Sequence, residues 1–519
     1  MKKLGLPAYR FSISWSRLLP ECRGRLSVEG LEFYNSLISE LIANEITPMV
    51  TIHCWDLPEC LDGGWLNPKI IEDFEYYAGC CFNLFGDRVK HWTTFNDPCG
   101  YASLGYCEGI IAPGRNEKPD TEPYLAAHHI ILAHAKAVRR YREEFQPSQR
   151  GVIGIALTVD WREPISDEPG DRAAARRAMD WQLAWFADPI WKGDYPESMK
   201  RQCGRRLPAF SEEEKAMVRG SSDFCGLNHY STAYAAAVEA APAPCSYWSD
   251  QAVRLEYDAS ALRTDSEFAV VPWGLKRVCE HIHKEYSPSC GIIVTENGCA
   301  VKDEDVQTAT QDSFRVNYYH DYIVQLHEAI MGGTDVRGYF AWSLMDCFEW
   351  VEGYTKRFGL CHVDYTTQVR TPKASARFLS ELARANALRT TQDELRGRVG
   401  RPEFSECTQL ARGDVEAAGR QDAAAPGGGD TEEEPLAASR PEHELLCQCA
   451  QKVVQRLSLK HPSPQKVRAF LAQTVSHAEE MVRQLPRGRE AAPQPGLCRQ
   501  FSANCWIIWM LVEQMVLLG

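Results

Sequence analysis

Several features of secreted proteins are missing from this sequence of 519 residues. It contains no Asn-x-Ser/Thr acceptor for N-glycosylation, and its first residues lack the apolar run of a signal peptide. Its 20 cysteines are scattered along the chain and do not frame a short disulfide-rich domain. Together these features favour a cytoplasmic protein whose cysteines are free thiols.

The sequence also lacks an excess of basic residues and the motifs of common cofactor sites. Its net charge of −13 argues against binding to nucleic acid. No Gly-x-Gly-x-x-Gly or Walker-type loop follows a strand-like run, so a nucleotide-binding sheet has no support. The Cys447-x-Cys449 pair has no second pair at zinc-finger spacing. We therefore expect neither a cofactor nor a metal ion.

The C-terminal part of the chain differs from the rest in composition. Residues 391–441 include a segment rich in Ala, Gly, Asp, Glu and Pro, which predicts a disordered linker. Residues 442–519 contain two stretches with apolar residues at helical spacing and predict a helical tail of unknown role. The apolar stretch at 505–519 falls short of the roughly 20 residues that span a bilayer. It predicts a helix that lies on protein or at a membrane surface, and the oligomeric state stays open.

Residues 1–390 alternate strand-like runs with amphipathic, helix-like stretches such as 30–43 and 124–144. The strand-like runs are residues 8–15, 47–53, 90–96, 151–159, 223–230, 291–296 and 336–343. This alternation predicts an α/β fold with a parallel sheet, open or closed as a barrel. Polar residues follow at the carboxyl ends of these strands, where a (β/α)8 TIM barrel builds its active site. With seven strands in place of eight, the predicted barrel lacks its first strand–helix unit.

Two of the predicted strands end on acidic residues. The run Gly-Ile-Ile-Val-Thr-Glu, typical of a buried strand, ends on Glu296 before an Asn-Gly turn. The run Thr-Thr-Phe-Asn-Asp ends on Asp97 before a proline. A single strand-terminal carboxylate is more often a solvent-facing structural residue. Two at the mouth of one barrel can divide the nucleophile and acid roles that glycoside hydrolysis requires.

The motifs around these carboxylates resemble those of the family 1 glycoside hydrolases, which include β-glucosidases, lactase-like proteins and klotho-like proteins. The matching segments are residues 9–15 (YRFSISW), 55–58 (WDLP), 64–66 (GWL), 95–98 (FNDP), 185–189 (WFADP), 193–196 (GDYP), 223–228 (DFCGLN), 295–298 (TENG), 341–346 (AWSLMD) and 348–350 (FEW). The resemblance covers residues 1–387. It implies a TIM-barrel enzyme that cleaves β-linked glycosides, such as β-glucosides and β-galactosides, with retention of configuration.

The resemblance also implies a role for each matching residue. Glu296 matches the nucleophile, and Asp97 stands at the position of the acid/base catalyst. Arg10 and Tyr230 match residues that hydrogen-bond the nucleophile. The remaining matches are to residues of the sugar pocket: Cys54, Asn96, Asn228, Trp342, Glu349 and Trp350.

The sequence departs from the family pattern at two of these positions. Asp97 replaces a glutamate, which withdraws the carboxyl by roughly 1.5 Å, one carbon–carbon bond. Cys54 replaces a sugar-binding histidine, and its thiol is a weaker hydrogen-bonding group. His53, one residue earlier on the strand, is expected to point to the opposite face. Two hypotheses follow: a slow retaining β-glycosidase, or a catalytically impaired, klotho-like protein that binds a glycan, glycolipid or protein.

Overall fold

The computed structural model of this chain describes residues 1–238, 244–303 and 305–388. The predicted linker at 391–441 and the predicted helical tail at 442–519, with its apolar end, lie outside the described residues. Within the described part, no helix combines the length and apolar character that crossing a membrane requires.

Strands and helices alternate along the described chain, as the sequence pattern predicts. The strands are β1 (Ala8–Ser12), β2 (Thr47–His53), β3 (His91–Asn96), β4 (Val152–Thr158), β5 (Trp161–Pro164), β6 (Cys225–Asn228), β7 (Thr232–Ala237), β8 (Val253–Glu256), β9 (Ile292–Asn297), β10 (Val336–Ala341), β11 (Cys361–Val363) and β12 (Arg370–Pro372). The α-helices are α1 (Trp15–Leu18), α2 (Val28–Ala43), α3 (Ile70–Phe85), α4 (Pro98–Ser103), α5 (Glu122–Arg140), α6 (Gln146–Gln149), α7 (Pro169–Met179), α8 (Trp185–Ala187), α9 (Glu197–Cys203), α10 (Glu212–Val218), α11 (Tyr247–Asp250), α12 (Trp273–Tyr286), α13 (Val306–Gln311), α14 (Ser313–Met331) and α15 (Ala374–Ala385). Single turns of 3-10 or π helix extend or link several of these helices.

Seven parallel strands form the central sheet, in the order β1-β2-β3-β4-β6-β9-β10. These are the seven runs that the sequence pattern predicts, so the expected nearly closed barrel is confirmed. Because all neighbouring strands are parallel, their carboxyl ends lie at one end of the sheet. β1 and β10 stand at the two ends of the strand order. Two small sheets, β5-β7-β8 and β11-β12, lie outside this barrel sheet.

The first predicted strand is too long at its carboxyl end. Residues 13–15 were expected to continue it, but β1 ends at Ser12 and α1 begins at Trp15. The Ser14 side chain accepts a hydrogen bond from the backbone N–H of Arg17 (3.4 Å) and so caps α1. β1 therefore ends two residues after Arg10.

A cluster of aromatic side chains packs between the sheet and the helices that follow β1 and β2. The Trp15 ring stacks on Tyr77 of α3 with 4.7 Å between ring centroids. Phe74 of α3 stacks on Phe95 of β3 at 4.4 Å. These rings are almost fully buried, and such packing fixes the distance and tilt of α3 against the sheet.

One disulfide joins Cys22 and Cys60, whose Cα atoms lie 6.3 Å apart. The expectation of free thiols throughout is therefore wrong for this pair, while the other described cysteines are free. The bond connects the segment after α1 with the segment after β2, two connections that follow neighbouring strands. Because disulfides are uncommon in reducing compartments, the cytoplasmic location stays a prediction.

Candidate active site

Glu296 lies near the carboxyl end of β9 and receives one donor on each carboxylate oxygen. Arg10 of β1 donates from Nη1 to Oε1 at 2.8 Å. The Tyr230 hydroxyl, two residues beyond β6, donates to Oε2 at 2.7 Å. The residue is 6% exposed, so little water competes with these bonds. Charge-assisted bonds from β1 and from the segment after β6 hold this carboxylate in one orientation.

Two asparagines extend this network along the neighbouring strand ends. Asn96 Oδ1, at the end of β3, accepts from Arg10 Nη2 and from Asn228 Nδ2, the latter at 3.0 Å. Asn228 Oδ1 in turn accepts from the Thr295 hydroxyl at 2.6 Å. Five predicted site residues therefore belong to one hydrogen-bonded group: Arg10, Asn96, Asn228, Tyr230 and Glu296.

Asp97 follows directly after β3, adopts an uncommon backbone conformation and caps the next helix. Its φ of 39° places it in the left-handed region, which is uncommon for residues other than glycine. Its Oδ1 accepts the backbone N–H of Gly100 at 2.9 Å, so the carboxyl caps the N-terminus of α4. A Cβ at position 100 would collide with this carboxyl, and the glycine there permits the close approach.

The electrostatic surroundings of Asp97 raise its pKa to about 7, chiefly because burial disfavours the charged form. The charge of Glu296 adds to this effect, and the bond from Gly100 opposes it. A carboxyl that titrates near neutral pH can both give and take a proton under physiological conditions. The environment therefore suits acid/base chemistry even though the side chain also serves as a helix cap.

Cys54 and His53 occupy opposite faces of the end of β2. Burial raises the pKa of the Cys54 thiol to about 12, while the charge of Arg10 opposes this shift and the charge of Glu296 adds to it. The His53 ring lies among aromatic rings, 5.1 Å from Phe95 and 5.5 Å from Trp65 between centroids. Burial lowers the His53 pKa to about 3. The expectation that His53 points away from the site is confirmed.

Glu349 and three tryptophans complete the described part of the site. The Trp342 indole Nε1–H donates to Glu349 Oε1 at 3.0 Å. The pKa of Glu349 is raised, mainly by burial and in part by the charge of Glu296. The Trp350 ring lies 4.6 Å from the ring of Trp55, whose indole donates to the Asp97 carbonyl at 3.1 Å.

Sequence reasoning missed two residues of this group, Trp55 and Cys347. Trp55 stands in the Trp-Asp-Leu-Pro segment, which was read only as a family motif. Cys347 lies between the matched segments 341–346 and 348–350, and its thiol is 3.1 Å from Glu349 Oε1. The available signal was the position of Trp55 inside a matched segment and of Cys347 between two adjoining matched segments.

One group of described residues has the composition of a metal site: Asp303, Asp346 and His362. Cationic side chains already form ion pairs with these carboxylates. Lys373 Nζ lies 2.6 Å from Asp303 Oδ2 and 3.2 Å from Asp346 Oδ1, and Arg357 donates to Asp346 Oδ2 at 2.7 Å. Lys373 is 0% exposed. The arrangement is a buried ion-pair network that supports the loop carrying Glu349.

A barrel sheet with carboxylates, amides and indoles gathered at its carboxyl end defines a TIM-barrel glycosidase. The family model for glycosyl hydrolase family 1 matches residues 1–388. This chain belongs to glycosyl hydrolase family 1.

Named relatives agree with this assignment. Beta-glucosidase 42 of Arabidopsis thaliana is 46% identical over 391 residues, covering 72% of this chain and 79% of the relative. The coniferin beta-glucosidase of Pinus contorta is 45% identical over 407 residues, covering 73% of this chain and 79% of the relative.

Solved structures show the same similarity in three dimensions. A rice beta-glucosidase superposes with a TM-score of 0.72 at 40% identity, covering 75% of this chain and 86% of that one. A beta-glucosidase from Thermotoga maritima, solved in complex with deoxynojirimycin, gives a TM-score of 0.69 at 37% identity, covering 75% of this chain and 85% of that one.

Proposed function

We propose that this chain is a retaining β-glycosidase that cleaves β-glucoside or β-galactoside bonds by double displacement. Glu296 attacks the anomeric carbon as the bond to the leaving oxygen breaks, and Asp97 gives its proton to that oxygen. Asp97 then takes a proton from water, and the water oxygen displaces Glu296 to release the sugar. The names of the relatives support the β-glucoside class.

The observation that carries the proposal is the pairing of Glu296 with Arg10 and Tyr230. A nucleophile must present one oxygen to the anomeric carbon in a fixed direction. Donors at 2.8 Å and 2.7 Å on the two oxygens restrict rotation of the carboxylate and neutralise part of its charge. The two donors also provide the hydrogen bonds that a buried carboxylate requires, so the arrangement meets both the structural and the catalytic need.

The sugar contacts are assigned to the remaining residues of the site. Asn96 and Asn228 offer amides beside Glu296, and Glu349 offers a carboxylate to the outer hydroxyls. Trp342 and Trp350 supply the aromatic floor and wall. Cys54 occupies the place of a stronger hydrogen-bonding side chain, so we expect weaker sugar binding at that point.

Slow turnover is part of the proposal. Asp97 is one methylene shorter than glutamate, and its carboxyl is already bonded to the backbone of Gly100. The bond from Gly100 holds the carboxyl near the backbone and so limits how far it reaches towards the leaving oxygen. The same observation favours the second candidate function, a protein that binds a glycan, glycolipid or protein ligand without turnover.

Trapping of the covalent intermediate tests the proposal. The protein is incubated with a 2-deoxy-2-fluoro-β-glucoside that has an activated leaving group, and the labelled peptide is identified by mass spectrometry. An activated leaving group needs little help from an acid, so we expect an adduct on Glu296 despite the short Asp97. The Glu296→Gln variant is the matched control and should show no adduct.

The binding alternative gives a different result in the same experiment. A folded sample that binds sugar, but shows neither turnover of an activated aryl glucoside nor an adduct, contradicts the enzymatic proposal. An adduct on another carboxylate contradicts the assignment of Glu296.

A further inference from the structure

Cys347 lies in the loop after β10, beside the carboxylate that is proposed to bind the sugar. Its Sγ is 3.1 Å from Glu349 Oε1. The same oxygen accepts the indole N–H of Trp342 at 3.0 Å. Two side chains from one loop therefore converge on a single oxygen of Glu349.

The direction of the Cys347 hydrogen follows from its neighbours. Among the described residues, Ser343 Oγ is the other side-chain atom in hydrogen-bond contact with the thiol, at 3.6 Å from Sγ. The Ser343 hydroxyl donates its own hydrogen to the Met345 carbonyl at 2.7 Å, so it has none to give the sulfur. Glu349 Oε1 is nearer than Ser343 Oγ and, as a carboxylate oxygen, is the stronger acceptor.

The charge state of the thiol agrees with this direction. Burial, together with the nearby charge of Glu349, raises the pKa of Cys347 well above its usual value. The sulfur therefore keeps its proton at neutral pH and acts as a hydrogen-bond donor.

Because Glu349 Oε1 already accepts two hydrogen bonds, Oε2 is free to accept hydrogen bonds from a ligand. A carboxylate oxygen has two lone pairs, and Trp342 and Cys347 use both of those on Oε1. Rotation of the Glu349 carboxylate would break both bonds, so the two oxygens are not interchangeable. Oε2 is the atom left to accept sugar hydroxyls.

We propose that Cys347 is a positioning residue of the sugar pocket, whose S–H bond to Glu349 Oε1 presents Oε2 to the hydroxyls of the glycone. The inference rests on the proposed sugar-binding role of Glu349, and so on the proposed function. It assigns the effect of Cys347 to ligand affinity and leaves the bond-breaking step to other residues.

The test measures binding of deoxynojirimycin by calorimetry, which needs no turnover. Cys347→Ala removes the donor and should weaken affinity about fivefold, as expected for a weak S–H donor bonded to a charged acceptor. Cys347→Ser keeps a donor and should restore affinity to within about twofold of the parent protein. Cys80→Ala, which alters a half-buried thiol on α3, is the matched control and should have no effect.

A double-mutant cycle separates positioning from a general packing effect. If Cys347 acts through Glu349, the Cys347→Ala change should have no further effect on affinity in a Glu349→Ala background. With an activated aryl glucoside, KM should rise about fivefold for Cys347→Ala while kcat stays nearly constant, as expected for uniform binding.

Each outcome decides the inference. Unchanged affinity in folded Cys347→Ala, equal losses in the Ala and Ser variants, or additive losses in the cycle would overturn it. Failure of the parent protein to bind deoxynojirimycin would overturn it too, because Glu349 would then hold no sugar. Binding that depends on Cys347 without any turnover would sustain the inference and refute the glycosidase proposal alone.

Discussion

Restoring a glutamate at position 97 is the sharpest test of how this site works. The Asp97→Glu change lengthens the side chain by one methylene and carries the carboxyl roughly 1.5 Å further from the backbone. It also moves the carboxyl away from Gly100, which the aspartate now binds at 2.9 Å. The variant therefore loses the helix cap, and its carboxyl extends further into the pocket.

The size of the expected gain follows from these distances. A misplacement of about 1 Å at a catalytic group can reduce the rate about 100-fold. We expect Asp97→Glu to raise kcat/KM for unactivated β-glucosides by about 10-fold to 100-fold. Loss of the cap on α4 should cost about 1 kcal/mol of stability, which is small beside the stability of a domain of this size.

A series of aryl β-glucosides with leaving groups of increasing pKa measures this effect. Glycosides that leave poorly need a proton from the acid, so the gain should grow along the series and vanish for dinitrophenyl glucoside. Asp97→Asn is the control, because it keeps the shape but cannot donate a proton. If Asp97→Glu is no faster than the parent with poor leaving groups, the length of the side chain at position 97 does not limit turnover.

The pH dependence gives an independent check on Asp97. Its pKa of about 7 means that activity requiring the protonated acid should fall as pH rises through about 7. This pKa is higher than in the unfolded chain, so its contribution to stability is full below about pH 4 and is lost as pH rises towards 7. Asp97→Asn should lack that loss, as unfolding measurements at pH 5 and pH 8 would show. If the free energy of unfolding changes equally with pH in the parent and in Asp97→Asn, the assigned burial of Asp97 is contradicted.

Three further predictions concern stability. Lys373→Met leaves the buried aspartates without their ammonium partner and should cost about 3 kcal/mol in denaturant unfolding; a loss below about 1 kcal/mol would refute this role. Cys22→Ser removes a disulfide that spans 38 residues and should lower the free energy of unfolding by about 4 kcal/mol. Equal unfolding free energies of the variant and the parent under oxidising conditions would contradict this prediction. His53 has a folded-state pKa of about 3, so stability should fall as pH drops below about 6.5. His53→Phe should reduce that fall between pH 7 and pH 4, and an unchanged slope would assign the acid sensitivity to other histidines.

Local patterns in the sequence were enough to predict the parallel sheet, and the resemblance to the family 1 glycoside hydrolases then selected the barrel. A buried parallel strand is a short run of β-branched and apolar residues, and this signal lies within a few neighbouring positions. The strand that ends at Glu296 and the other six barrel strands could therefore be placed without any tertiary information. Parallel pairing then brings their carboxyl ends to one end of the sheet, which explains why Arg10, Asn96 and Glu296 could be expected together.

Tertiary structure alone decided which atoms meet within that region. Arg10 and Glu296 are 286 positions apart, and their 2.8 Å contact depends on the register of every strand between them. The capping bond of Asp97 depends on a φ of 39° and on the path of the chain into α4, which residue type does not reveal. The burial of Lys373 and the meeting of Cys22 with Cys60 likewise depend on how loops fold over the barrel. Sequence spacing determines which strands and turns form, whereas contacts between loops arise only when the packed sheet fixes their positions.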